Sequence, residues 1–149
     1  MKSLYDPAAA TELKQRMAQL TPETPRLWGK MAPAQMLAHC AVGMEVSMGD
    51  KVSRQILLGK LFGKRAKASM LSGKPIGRNL PSDKSYIVSD KRDLNHERQR
   101  LAGLIDRFQT GGPENCTRHP HSFFGIMTPE EWSALNYIHL DHHLQQFGV

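Results

Sequence analysis

The chain has 149 residues, a length at which a single domain over residues 1–149 with a substantial core is expected. Hydrophobic residues make up 40% and aromatics 7%, with eight methionines, a composition that favours helix packing over a sandwich of aromatic and β-branched strands. The net charge of +6 admits anionic partners without demanding nucleic acid. Two cysteines in no CxxC or finger-like spacing, no signal peptide and no apolar run near the ~20 residues of a membrane span point to a reducing cytoplasm.

The first predicted helix runs from Pro7 to Leu20, with Asp6 as N-cap and Leu13, Met17 and Leu20 at helical spacing. Thr21-Pro22-Glu23-Thr24-Pro25 breaks it, and Trp28-Gly29-Lys30-Met31 is a connecting loop with one large apolar anchor. A second helix is expected from about Pro33 to Met48, with Met36, His39, Val42, Gly43 and Val46 in one stripe. A third, from about Ser53 to Leu71, has Ile56, Leu57, Leu61 and Phe62 apolar and carries Lys60, Lys64, Arg65 and Lys67 on its other side. This basic run reads as a solvated face, or as one that attracts an anionic cosubstrate or membrane phosphate.

Ser72 to Asp90 is rich in Gly, Pro, Ser and Asn, a long connection of the kind that forms lids or site walls. Asp90 or Ser89 is the expected cap of a fourth helix through Leu94, Leu101, Leu104, Ile105 and Phe108, which Gly111-Gly112-Pro113 ends. A loop from Glu114 to Met127 holds His119-Pro120-His121. Thr128-Pro129-Glu130-Glu131 then opens the last helix, to about Phe147, with a capping-box pattern. No repeat, low-complexity tract or domain linker interrupts this all-α reading.

Three of the seven histidines fall within five positions of the last helix, at His139, His142 and His143. At ~100° per residue, Trp132, Leu135, Asn136, His139, His143 and Gln146 share a face, His142 lies at its edge and Asp141 points away. Imidazoles and amides on a core-facing stripe need partners. A divalent cation held by His139, His143 and the inward His39 of the second helix supplies one, against the alternative of surface histidines near a helix C-terminus and a hydrogen-bonded core histidine. Three neutral imidazoles with open positions suit Zn²⁺, Ni²⁺, Mn²⁺ or Fe²⁺. Such an ion activates either bound water, which calls for a carboxylate base, or a thiolate directly. Cys40 flanks the site at best and reads as a structural thiol, and Cys116 as incidental. Glu45 is badly phased for a general base. His119 and His121 read equally as pocket-mouth residues or as loop polar groups.

The stretch Trp28-Gly29-Lys30-Met31-Ala32-Pro33-Ala34-Gln35-Met36-Leu37-Ala38-His39-Cys40 resembles the start of the second helix in the DinB-like superfamily, and more narrowly a bacterial family of unknown function within it. The ending, from Phe123-Phe124-Gly125 through Thr128-Pro129-Glu130-Glu131-Trp132 to His139-Leu140-Asp141-His142-His143, resembles the same family's terminal helix. The resemblance spans essentially the whole chain. It implies a four-helix bundle of DinB/YfiT type with long loops and an extra short helix, and a divalent metal on His39, His139 and His143. It further implies homodimers, a small-molecule substrate and activities such as bacillithiol- or mycothiol-dependent S-transfer. A metal-dependent hydrolase and a non-catalytic stress-response or binding module on the same bundle are the alternatives. His119, His121 and His142 lie outside the shared triad.

Overall fold

A computed structural model describes residues 2–80 and 83–149. Pro81 and Ser82, part of the long connection, lie outside the described residues, as does Met1. The order is α1 (Pro7–Ala18), α2 (Pro33–Ser47), α3 (Leu57–Met70), α4 (Leu94–Gly111) and α5 (Pro129–Gln145), with single 3-10 turns at Lys84–Tyr86 and Pro113–Asn115. The described residues form no β-strand; one isolated bridge pairs His121 with Gly125.

Local chemistry sets the helix starts. Asp6 accepts a hydrogen bond from the Ala8 amide at 2.9 Å with Pro7 at the first helical position. At α5 the capping box closes both ways: Thr128 Oγ accepts from Glu131 N at 3.2 Å, and Glu131 Oε2 accepts from Thr128 N at 2.9 Å. The cap of α4 is Asp93, which accepts from His96 N at 2.7 Å, rather than Asp90 or Ser89. Asp90 instead pairs with Arg92 at 2.9 Å.

α2 is buried on nearly every side, with Met36, Leu37, Cys40, Ala41 and Met44 at 0–1% exposure. Such a helix is central to its fold. It packs most extensively on α4 and also on α5, and α1 lies against α4 and α5. The α5 face opposite His139 is buried too, since Tyr137, Leu140 and Leu144 are all covered. Arg16 of α1 donates to Asp141 at 2.7 Å and to the Val149 carbonyl at 2.9 Å, which fixes the C-terminal end of α5.

α2 and α4 are also joined by ions. Glu97, 1% exposed, receives Arg92 at 3.1 Å and Arg100 at 3.0 Å, and Arg100 reaches on to Glu45. Removing this buried carboxylate leaves Arg92 with Asp90 alone and Arg100 with Glu45 alone, so Glu97→Ala is expected to lower unfolding free energy by about 2 kcal/mol, less than for a fully buried orphan because each partly exposed arginine keeps another acid. A urea titration reads this directly. A midpoint equal to wild type would show that the pair contributes nothing.

α3 stands apart from the packing of the other four helices. Its buried residues are Gly59 and Gly63, over the backbone of Phe123. A Cβ at those positions would come within 2.5 and 2.2 Å of the Phe123 carbonyl oxygen, so only glycine permits this approach. The apolar residues of the predicted stripe therefore face outward: Leu57 is 74% and Leu61 68% exposed.

Candidate metal centre

α2 and α5 bring the three expected histidines together. Their ring centroids form a triangle with sides of 4.9 Å (His39–His139), 4.7 Å (His39–His143) and 4.7 Å (His139–His143). One ring nitrogen from each lies within 4.8 Å of the others, and this group of three can hold a metal ion. His39 Nε2 and His139 Nε2 are 3.0 Å apart.

Two tautomers are fixed from behind. His39 Nδ1 lies 2.8 Å from the Tyr86 carbonyl oxygen; a carbonyl only accepts, so Nδ1 carries the proton and Nε2 presents its lone pair. His143 Nδ1 lies 2.9 Å from Gln146 Oε1. The other end of that amide, Nε2, donates to the Trp28 carbonyl at 2.8 Å, which settles the orientation of the amide. His143 Nδ1 is thereby the donor and its Nε2 is free. Metal-ligating histidines are held by supports of this kind.

Two glycines lie against these side chains. A Cβ on Gly29 (φ +79°) would lie 2.3 Å from Gln146 Nε2, so the amide reaches the Trp28 carbonyl only past a glycine. Gly43, one turn beyond His39, lies against the His139 ring; a Cβ there would sit in van der Waals contact, 3.4 Å from His139 Nδ1.

Electrostatics keep the triad neutral. Burial lowers the pKa of His39 against the Tyr86 hydrogen bond. Burial, then the His143 and His39 rings, push His139 well below its ordinary value. Burial and the His39 ring lower His143 to about 3. At neutral pH all three offer lone pairs rather than charges, which is the state a cation requires. The group contains no carboxylate. Asp141 faces Arg16, and Glu45 is engaged by Arg100 and Lys51, as their helical phases predict.

The other sequence candidates stand outside the triad, although the His142 ring lies 5.2 Å from that of His143. His142 lies on the rim, its ring 5.6 Å from Trp28, and the Arg78 guanidinium covers Trp28 at 4.3 Å from the ring centroid. Trp28 is thus a rim residue rather than a core anchor. His119 is exposed. His121 is a loop polar group: its Nδ1 accepts from the amides of Phe123 and Phe124 at 3.1 and 3.2 Å, and its ring stacks on Phe124 at 4.6 Å. Cys40 is buried against Met36 with its thiol pushed up by burial. Cys116 Sγ lies 3.0 Å from the Tyr5 hydroxyl. Two surface clefts of about 400 and 300 Å³ hold none of the three histidines, so side-chain convergence and not cavity shape marks the site.

Sequence reasoning recognised Asn136 and Gln146 as inward amides but not their tasks. Asn136 Nδ2 donates to Ser47 Oγ at 2.9 Å and ties α5 to α2, whereas Gln146 orients a ligand. The Tyr86 carbonyl was missed, because a backbone acceptor leaves no mark in side-chain patterning. Its only signal was the long connection that delivers it.

Residues 5–148 match the model of a family described as "Protein of unknown function (DUF1569)", and the chain belongs to that family. No curated protein and no solved structure matches it.

Proposed function

We propose that this member of a family of unknown function binds one divalent ion through His39, His139 and His143 on a DinB/YfiT-type bundle, and acts as a metal-dependent S-transferase for a low-molecular-weight thiol. The observation that carries this reading is the convergence of three neutral imidazoles, two with Nδ1 tied to an acceptor, in a group without a carboxylate. Four mutually packed helices, with one histidine on α2 and two on α5, support the bundle type.

His39, His139 and His143 would hold the divalent ion, which would supply Lewis acidity toward a thiol. In the proposed transfer the thiol proton would pass to solvent, the sulfur would form the new C–S bond, and the leaving group of the electrophile would depart with the electron pair of the broken bond. The chain orients two of the three rings, His39 through the Tyr86 carbonyl and His143 through Gln146. Arg78 over Trp28 places a cation at the rim, suited to the carboxylates of a small thiol. Hydrolysis ranks lower because activated water calls for a general base, and Glu45 of α2 and Asp141 of α5 face away from the triad into ion pairs.

Elemental analysis of protein prepared without a histidine tag, after incubation with Zn²⁺, Ni²⁺, Mn²⁺ or Fe²⁺ and dialysis, is expected to give one ion per chain. Conjugation of a chromogenic aryl halide to bacillithiol, mycothiol, glutathione or cysteine then tests the reaction, with loss of turnover in His39→Ala. Metal without turnover on any thiol removes the transferase and leaves the site; no retained metal removes both.

A further inference from the structure

The charge of this chain is concentrated in one segment. Between Asp50 and Asp83 stand eight of the twenty Lys and Arg residues and no carboxylate, while the rest of the chain sets twelve cations against fourteen acids. That segment contains α3, whose large apolar side chains in its first two turns lie outside the core. Leu57 and Leu61 form one i, i+4 ridge and Leu58 and Phe62 the next, at 56–74% exposure. Lys60 and Lys64 border the first ridge, and Arg65 stands between the two at their C-terminal end; all three are exposed.

The orientation is built in. The opposite side of α3 is fastened by Gly59 and Gly63 on the Phe123 backbone, and by Lys67, which donates to the Ile126 carbonyl at 3.1 Å and pairs with Glu131 at 2.7 Å. The apolar ridges cannot turn inward without breaking that seat. Four contiguous large apolar side chains flanked by cations describe a surface for a partner that is both apolar and negatively charged.

We propose that α3 docks in the plane of an anionic phospholipid surface, with Leu57, Leu58, Leu61 and Phe62 at the headgroup–acyl boundary and Lys60, Lys64 and Arg65 against lipid phosphates. The fourteen-residue helix is about 21 Å long, and no helix of the described residues is long and apolar enough to cross a membrane, so the contact is interfacial. Charge selects this occupant over a second copy. Two α3 helices paired face to face would oppose their own cations, with no acid in the segment to relieve them. A nucleic acid would use the cations and leave the four apolar side chains in water.

The test is co-sedimentation of the full chain with vesicles of phosphatidylcholine alone, or with about a third phosphatidylglycerol. Binding to the anionic vesicles is expected to exceed that to the neutral ones by at least about tenfold, and Lys60→Ser/Lys64→Ser/Arg65→Ser to lower it by about a hundredfold, each surface cation carrying roughly fivefold. Leu61→Ser/Phe62→Ser is expected to lower it by about tenfold or more, with circular dichroism and melting unchanged because both side chains are exposed. Full binding by the Leu61/Phe62 variant would overturn the proposal in favour of simple polyanion attraction. Absence of binding to either vesicle would also overturn it, as would a solution dimer that the same variant dissolves.

Discussion

Replacing His139 with alanine is expected to weaken divalent-metal binding by on the order of 10²–10³-fold, an amount set by dividing the ~10–16 kcal/mol of a four-ligand zinc site among its ligands. His139 faces both other imidazoles, with Nε2 3.0 Å from His39 Nε2 and its ring 4.7 Å from His143. Its loss leaves two ligands on separate helices. Gln146→Ala is expected to act through His143: without the Oε1 acceptor the imidazole is free to flip or change tautomer, and affinity falls by about 10–100-fold. His142→Ala is the control, since its ring lies at the rim beside Trp28, and it should retain wild-type affinity. Competition against a chromophoric chelator orders the three variants. An equal loss in His139→Ala and His142→Ala would show that the helical phase picked the wrong pair.

How much of this site was legible in the sequence depended on where each contribution resides. The HxxxH phase and the inward position of His39 are side-chain periodicities, and the structure brings those three rings together. The caps at Asp6 and Thr128 are local residue patterns and formed as read. The cap of α4 was expected at Asp90 or Ser89 and lies at Asp93, because Asp90 and Asp93 both carry a capping carboxylate and the neighbouring Arg92 pairs with the first. The third helix shows the limit of periodicity. An apolar stripe marks a surface that seeks a partner, but Gly59 and Gly63, with no side chain to count, decided which side met the protein. The Tyr86 carbonyl was invisible for a related reason, being backbone delivered by a turn that Asp83 caps through the Ser85 amide.

Acid is expected to unfold the metal-free protein well above the range in which its carboxylates protonate. In the unfolded chain a histidine takes up a proton near pH 6.5. In the folded chain burial holds His143 at about 3 and His121 at about 4, and lowers His39 and His139 as well. These folded values are depressed, so the stability they contribute is present above pH 6.5 and is lost as pH falls from there toward 4. In that window the unfolded state binds more protons, and stability drops by up to about 1.4 kcal/mol per pH unit for each such histidine. His121 and His143 alone, between pH 6.5 and 4.5, remove on the order of 5 kcal/mol, at the lower end of the whole stability of a domain. His121 has a geometric reason to resist: its Nδ1 accepts from two backbone amides, and a proton there would set donor against donor twice. The urea midpoint should therefore fall steeply between pH 7 and 5, and a midpoint flat across that window would contradict the buried neutral cluster. His121→Asn offers an amide oxygen to the same two amides without titrating, so it should make the pH profile shallower while leaving metal affinity untouched.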